Sequence, residues 1–226
     1  VAFSRMTARE GGFDMALLVA STDGSEPVEL HQSSSDRSFA LVAPRAPHYI
    51  YWSPTGERLA FLAAGERTGE LALYLADRQG QEEAQRVVQG SPLYLAWDRG
   101  GRAILLHVGE SLGLVDTALP LRPAHLGVFS PAYAVPAWAP DGRRIAYVGP
   151  DEEGQTLYAG QLGTLSTEPG QRLLPVPDEA AFLWSPRGNR LAVGLTGGPE
   201  AQGYDGILLV NPNDGSSLPL ATEPVL

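Results

Sequence analysis

A match to a hydrolase motif lies near the middle of this sequence of 226 residues. Gly109-Glu110-Ser111-Leu112-Gly113 fits the Gly-x-Ser-x-Gly pattern, in which a serine attacks a carbonyl from a sharp turn between a strand and a helix. Here the apolar run before the motif reads as a strand, and residues 112–117 after it read as a second strand. We therefore predict that Ser111 lies at a β-hairpin and that the chain contains no catalytic residue.

Metal and cofactor chemistry finds little support in the sequence. The histidines His31, His48, His107 and His125 form no His-x-x-x-His pair and occupy different places in the internal repeat, so we expect them to be ordinary strand or loop residues. The stretch Asn211-Pro212-Asn213-Asp214-Gly215 lacks the oxygen spacing and the final Glu of a calcium loop, and we predict a hairpin turn there. The prediction is that there is no metal and no cofactor.

The charge balance restricts the kind of partner. The chain has 16 basic and 26 acidic residues and a formal net charge of -10. A nucleic-acid partner or an anionic lipid surface needs a basic footprint, so neither is expected. The longest apolar runs have the length of strands, so we predict that the chain is not itself membrane-spanning.

The four tryptophans mark an internal repeat. They stand at Trp52, Trp97, Trp138 and Trp184, and each ends an apolar strand that precedes a turn rich in Pro or Gly. A second strand follows at once, then a third (71–76, 112–117, 156–161, 206–210) and a shorter fourth (86–89, 121–125, 172–176, 218–222). Four short strands every 41–46 residues predict an all-β fold, a β-propeller of four-stranded antiparallel blades. We expect the tryptophans to pack between neighbouring blades rather than to stack on a ligand.

The repeat also divides the chain. We predict one propeller domain, or a fragment of one, over residues 1–226, with blades at about 1–35, 47–90, 92–130, 133–177 and 180–226. Residues 1–4 align with a second strand, so the first blade is expected to lack its innermost strand. We expect further blades or a partner to cover the resulting sheet edge.

Three of the repeats carry a family resemblance. Trp-Ser-Pro-x-Gly-x-Arg-Leu-Ala (52–60 and 184–192) and Trp-Ala-Pro-Asp-Gly-Arg-Arg-Ile-Ala (138–146) resemble the WD-like repeat of TolB-like propellers, which also builds the propellers of dipeptidyl-peptidase and prolyl-oligopeptidase relatives. The resemblance covers essentially the whole chain. It implies a propeller fold and, on the TolB side, a scaffold role in the cell envelope with a periplasmic or extracellular location.

One end of a propeller collects the loops that precede the innermost strands and the loops between second and third strands. Rigid scaffolds often carry their binding residues on such loops. Here those loops provide an aromatic and acidic set that suits a protein or peptide partner: Tyr49, Tyr94, Tyr133, Asp178, Glu179 and Tyr204. Solvated loops without a binding role are the alternative.

Three functions remain open from the sequence. The first is a non-catalytic binding scaffold that mediates protein–protein interaction in an extracytoplasmic complex. The second is the substrate-gating propeller of a prolyl-oligopeptidase-type serine peptidase whose catalytic domain is not in this chain. The third is a propeller enzyme that cleaves glycans, which needs two facing carboxylates about 5–10 Å apart.

Overall fold

The computed structural model describes residues 1–35, 46–65, 67, 69–118, 121–131, 134–196 and 203–224. All regular elements within these residues are strands, which form five separate antiparallel sheets. The first sheet contains β1 (Ala2–Arg9), β2 (Gly12–Val19) and β3 (Val28–Ser35). The second contains β4 (Pro47–Trp52), β5 (Arg58–Ala64), β6 (Leu71–Asp77) and β7 (Gln85–Gly90).

The other three sheets repeat the four-stranded pattern. The third consists of β8 (Leu93–Trp97), β9 (Ala103–Val108), β10 (Ser111–Asp116) and β11 (Pro123–Phe129), and the fourth of β12 (Ala137–Trp138), β13 (Arg144–Asp151), β14 (Gly154–Gln161) and β15 (Gln171–Pro175). The fifth consists of β16 (Ala180–Trp184), β17 (Leu191–Leu195), β18 (Ile207–Val210) and β19 (Ser217–Ala221). In every sheet each strand pairs with the next strand along the chain. The predicted all-β class of four-stranded antiparallel units is confirmed.

The turn after each tryptophan has one hydrogen-bond pattern. In the fourth sheet the backbone N–H of Ala139 donates to the carbonyl of Arg144, and the N–H of Gly142 donates to the carbonyl of Ala139. Gly142 has a φ of 67°, a conformation that side chains with a Cβ rarely adopt. The same pair of bonds recurs at Ser53, Asp98 and Ser185. The turn therefore fixes the angle at which the first strand of a sheet leads into the second.

Chain contacts divide the protein into two compact units, residues 1–93 and 94–226. In the first unit, the facing surfaces of the first and second sheets enclose a core that includes Leu17, Val19, Leu59 and Phe61. In the second unit, one core lies between the third and fourth sheets and another between the fourth and fifth. The description of residues 1–226 as one propeller domain stays a prediction.

Strand β13 shows why the sheets are buried on both faces. Its side chains alternate, so that Ile145 and Tyr147 enter the core with the third sheet, while Ala146 and Val148 enter the core with the fifth. All four are buried. A strand between two sheets therefore reads as a continuous apolar run rather than as an alternation of apolar and polar residues.

The structure corrects several predicted boundaries. Strand β11 occupies Pro123–Phe129 instead of 121–125, because the pairing of β10 with β11 shifts register between Ser111 and Gly113 and adds residues to β11. The connection between β13 and β14 is a two-residue turn, since Asp151 pairs with Gly154 across the hairpin. Strand β1 continues to Arg9, well beyond the predicted residues 1–4.

Candidate functional site

The candidate site is an apolar cleft of about 920 Å³ in the second unit. It lies along the first strands of three consecutive sheets, β8, β12 and β16, and its volume falls in the upper part of the range typical of ligand pockets. The residues that line it are Tyr94, Ala96, Trp97, Arg99, Val135, Pro136, Ala137, Trp138, Ala139, Pro140, Glu179, Ala180, Ala181, Phe182, Leu183, Trp184, Pro186 and Tyr204.

The wall of this cleft exposes apolar side chains. Leu183 has a relative exposure of 72% and Val135 of 48%. On β16, the neighbours Phe182 and Ala180 are buried in the core, so the alternation of the strand turns Leu183 away from it. The cleft therefore presents apolar side chains to solvent.

Two of the three tryptophans in the cleft are anchored by backbone carbonyls of the preceding sheet. The indole Nε1 of Trp138 donates to the Ala96 carbonyl at 3.0 Å, and that of Trp184 donates to the Ala137 carbonyl at 3.2 Å. The Nε1 of Trp97 is buried and has no hydrogen-bond partner within the described residues. All four repeat tryptophans are half-buried, and Trp52, Trp138 and Trp184 pack against core clusters. Their role as packing residues between blades stays a prediction.

A buried histidine supports the wall at the start of β8 and β12. His107 on β9 is fully buried, and its ring nitrogens lie 2.8 Å from the carbonyl oxygens of Ser130 and Ala134. Its ring also contacts the Tyr94 ring, with 5.8 Å between centroids. His107 thus connects the segment that leads into β12 with an aromatic residue of the cleft, a role that the sequence did not indicate.

The strands that line the cleft run in the same direction. Arg144, at the turn after β12, donates from Nη2 to the carbonyl of Gly188, at the turn after β16, with a distance of 2.7 Å. At the other end, His107 contacts both Tyr94 near the start of β8 and Ala134 before β12. One end of the cleft is therefore formed by residues that begin these strands, and the other by the turns that follow them.

The two ends carry opposite charges. Glu179 stands immediately before β16, where its backbone N–H donates to Thr196 Oγ1 at 3.0 Å and its carbonyl accepts from the Thr196 N–H at 3.1 Å. Arg99 stands in the turn after β8. Glu179 and Arg99 are the only charged side chains among the described residues that line the cleft. The cleft is therefore acidic where its strands begin and basic where they end.

The structure brings together half of the predicted binding residues. Tyr94, Glu179 and Tyr204 line the cleft, and the exposed Asp178 is the chain neighbour of Glu179. Tyr49 belongs to the first unit and is exposed on β4. Tyr133 lies outside the described residues. Tyr49 and Tyr94 were expected in loops, but both lie inside first strands.

Leu183, Val135 and Arg99 are among the cleft residues that sequence reasoning missed. The sequence did show that Leu183 and Phe182 lie on opposite faces of β16, because side chains alternate along a strand. When the residues on both faces are apolar, this alternation does not tell which face lies against solvent.

In the described residues, the Gly-x-Ser-x-Gly match lies at a turn between two strands. Ser111 is the first residue of β10, paired with Val108 across a tight β-hairpin, so the prediction that its motif forms a hairpin is confirmed. Within the described ranges, no group of three His, Asp or Glu side chains could hold a metal ion. No helix in those ranges is long and apolar enough to cross a membrane.

Comparisons with known proteins identify the fold. No protein-family model matches the chain, and no curated protein matches its sequence. Solved structures do match: TolB from Acinetobacter baumannii shares 15% identity at a TM-score of 0.56 over 96% of this chain, and a putative TolB from Agrobacterium tumefaciens shares 14% at 0.56 over 96%. The β-propeller domain of the Trilobed protease from Pyrococcus furiosus shares 12% at 0.57 over 97%.

These similarities show a β-propeller fold, as the repeat predicted. The chain spans 56% of the Acinetobacter TolB, 80% of the Agrobacterium protein and 67% of the Pyrococcus domain. It therefore corresponds to little more than half the length of the first of these structures.

Proposed function

We propose that this chain is a non-catalytic binding domain that receives an extended apolar segment of a partner protein or peptide in the cleft of the second unit. The observation that carries the proposal is Leu183, a large apolar side chain that is 72% exposed between Phe182 and Trp184 within a concave site. Burial of such a side chain by a partner contributes about 1.5–3 kcal/mol.

The aromatic content of the cleft supports a polypeptide ligand. Trp97, Trp138, Trp184, Tyr94 and Tyr204 all line it, and Trp and Tyr are the residue types that most often dominate binding energy at protein interfaces. Two of the indole rings are held by hydrogen bonds to the backbone, so little side-chain entropy is lost on binding. A rigid aromatic wall favours specific recognition of apolar side chains.

The charges at the two ends give the bound segment a direction. A basic residue of the ligand is attracted to Glu179 and the adjacent Asp178, and an acidic residue is attracted to Arg99. A segment with the opposite charge order would place like charges together at both ends. We assign the partner's preferred sequence as apolar residues between one basic and one acidic end.

The experiment selects peptides from a random heptapeptide library displayed on phage, using the intact chain as the target. The best peptide is then synthesised, and its affinity is measured through the fluorescence of the cleft tryptophans. Leu183→Asp should weaken binding at least about tenfold, which is 1.4 kcal/mol. Leu218→Asp is the matched control, because Leu218 is similarly exposed, at 66%, on β19 but does not line the cleft. Equal affinity for both variants would exclude the cleft as the site.

The location proposed for this activity is extracytoplasmic. The resemblance of the repeat to TolB-like propellers supports a periplasmic or extracellular setting. Fusion of the full gene product to a reporter enzyme that is active only outside the cytoplasm tests this directly. Reporter activity in the cytoplasmic fraction alone would refute the proposed location.

A substrate-gating role is the second candidate. The structural similarity to the propeller domain of the Pyrococcus protease favours it, because in that protein the same fold belongs to a peptidase. Under this proposal, the cleft would guide peptides towards a catalytic serine outside residues 1–226. Labelling of the full gene product by a fluorophosphonate at such a serine would support gating, whereas peptide binding by a product that the probe does not label supports the scaffold.

A further inference from the structure

Three turns meet at the basic end of the cleft. They follow β8, β12 and β16, and each contributes to the cleft wall, through Arg99, Pro140 and Pro186 respectively. The turns after β12 and β16 are also in direct contact, because Arg144 Nη2 donates to the Gly188 carbonyl at 2.7 Å. This end of the cleft is therefore bordered by turn residues of three consecutive sheets.

These turns are basic although the whole chain is acidic. Residues 98–103, 139–144 and 185–190 contain six arginines and two aspartates, whereas the chain has a formal net charge of -10. The turn type does not require this composition, because the equivalent turn after β4, residues 53–58, contains one arginine and one glutamate. The excess of positive charge is thus a property of these three turns in the second unit.

The two aspartates are engaged within their own turns. Asp98 Oδ1 accepts a hydrogen bond from the Arg102 N–H at 2.7 Å. Asp141 accepts from the Arg143 N–H at 2.8 Å and from Arg144 Nε at 2.7 Å. Within the described residues, neither carboxylate forms an ion pair with an arginine of another turn. The aspartates therefore leave most of the arginine side chains available.

One arginine in each turn has an unpaired side chain. Arg99, Arg143 and Arg187 are exposed, and their guanidinium groups form no hydrogen bond or ion pair with any described residue. A guanidinium presents five N–H donors in a planar arrangement that matches a carboxylate. Carboxylates of a partner are therefore groups that all three side chains can bind.

Acidic residues further out limit the length of anion that fits. In the same three sheets, the connections between the third and fourth strands carry the exposed residues Asp116, Glu168 and Asp214. They lie at this end of the sheets, since Asp116 pairs with Ala103 at the start of β9 and the other two follow β14 and β18 in the same way. A long polyanion that extends past the arginines would meet these carboxylates, and like charges would repel it. A short acidic segment fits better than a nucleic acid strand.

We propose that the three turns form a docking site for a short run of Asp or Glu residues in a partner protein. This arginine site is defined by Arg99, Arg143 and Arg187. The inference rests on the proposed function for the position of the run, which would continue the acidic end of the segment bound in the cleft. Because the charges are exposed, the attraction should increase the association rate and weaken as salt is added.

A probe without apolar side chains tests the arginine site separately from the cleft. Hexaglutamate with both ends blocked and a fluorescent label is titrated with the intact chain at low ionic strength, and binding is measured by anisotropy. Arg143→Gln combined with Arg187→Gln should weaken binding at least about threefold, as expected for the loss of two exposed ion pairs. Arg78→Gln combined with Arg122→Gln is the matched control, which should bind like the unaltered chain. Both control arginines are exposed, lie outside the three turns and give the same change in net charge.

The possible results separate this inference from the proposed function. Equal affinity of the two double variants, or no binding of hexaglutamate to the unaltered chain, would overturn the arginine site. Tighter binding of heptathymidine, which carries the same number of charges, would overturn it in favour of a nucleic acid partner. If the Arg143 and Arg187 changes weaken hexaglutamate binding while Leu183→Asp leaves the selected heptapeptide unaffected, the arginine site stands and the proposed cleft ligand is refuted.

Discussion

The guanidinium of Arg144 lies over the indole ring of Trp184, 5.0 Å from the ring centroid. The same side chain donates from Nη2 to the Gly188 carbonyl and from Nε to Asp141 Oδ2 at 2.7 Å each. Arg144 follows Trp138 by six residues, so the arginine of one repeat contacts the tryptophan and the turn glycine of the next. Arg144 therefore joins the fourth sheet to the fifth through one cation–π contact and one hydrogen bond.

The coupling between Arg144 and Trp184 is measurable with a double-mutant cycle. Arg144→Met and Trp184→Leu each remove one partner, and the interaction energy should be about 0.5–1 kcal/mol in urea unfolding. Arg143→Met is the matched control, because Arg143 is exposed and has no recorded contact with Trp184. A coupling within error of the Arg143 value would show that the stacking contributes nothing to stability.

The indole hydrogen bonds make different predictions for two tryptophans. Trp184→Phe removes the donor to the Ala137 carbonyl and should lower the unfolding free energy by about 1 kcal/mol. Trp97→Phe removes an Nε1 that has no partner in the part of the chain that is described, so its cost should be smaller. Chemical denaturation of both variants compares them directly. A larger loss in Trp97→Phe would contradict the assignment.

Acid should destabilise the fold partly through Asp141. Burial is the largest single influence and raises the pKa of this carboxyl, but the backbone N–H groups of Arg143 and Arg144 and the Arg144 guanidinium together bring it below its usual value. A group with a lowered folded pKa stabilises the protein above its unfolded pKa, and this stabilisation is lost as the pH falls through the folded value. Asp141→Asn should therefore flatten the decrease in unfolding free energy as the pH falls below about 4, the usual pKa of an Asp carboxyl. A pH curve parallel to that of the wild type would be the contrary result.

Gly215 should be far less replaceable than Gly142. Both have positive φ, 74° and 67°, so alanine is strained at either position. A Cβ at Gly142 meets nothing within 4 Å, whereas one at Gly215 would lie 2.5 Å from the Leu173 carbonyl oxygen. We expect Gly142→Ala to cost about 1 kcal/mol and Gly215→Ala about 1–3 kcal/mol more. Equal thermal stability of the two variants would show that the backbone near Leu173 can shift to accommodate the new Cβ at little cost in free energy.

Ser111 should be silent towards serine-hydrolase probes. It sits inside the β9–β10 hairpin, where it pairs with Val108 on one side and Phe129 on the other. A fluorophosphonate probe should leave residues 1–226 unlabelled under conditions that fully label a serine hydrolase treated in parallel. Stoichiometric modification of Ser111, located by peptide mass spectrometry, would refute this.

The fold was predictable because its signals are local and repeated. Each turn after a tryptophan is closed by hydrogen bonds between residues no more than five apart, so a short stretch of sequence specifies it. The four occurrences of this turn mark where the first strand ends in each of the four-stranded sheets. The bounds of β11 were not predictable in this way, because the register shift opposite Leu112 depends on a pairing that short-range patterns do not contain.

The candidate site was less predictable because its residues are brought together across repeats. Tyr94, Glu179 and Tyr204 were identified from their expected position near the starts of strands. Arg144 was noticed as part of the repeat but received no role, since its contact at Gly188 lies 44 residues away. Leu183 was missed because Phe182 and Leu183 are equally apolar, and only the packed neighbours decide which of them is buried.

The strictly consecutive order of strands within each sheet has a consequence for biosynthesis. Because every strand pairs with the one made just before or after it, a sheet can close as soon as its last strand leaves the ribosome, without waiting for later sequence. The cores between consecutive sheets then form in the order of translation. Pairing between consecutive strands also keeps the contact order within each sheet low. Because proteins with low contact order fold faster, each sheet is expected to form rapidly compared with all-β folds whose strands pair over long sequence distances. Translation pauses placed far enough beyond residue 90 or residue 175 for that residue to have left the ribosome should therefore leave nascent chains whose completed sheets already resist protease.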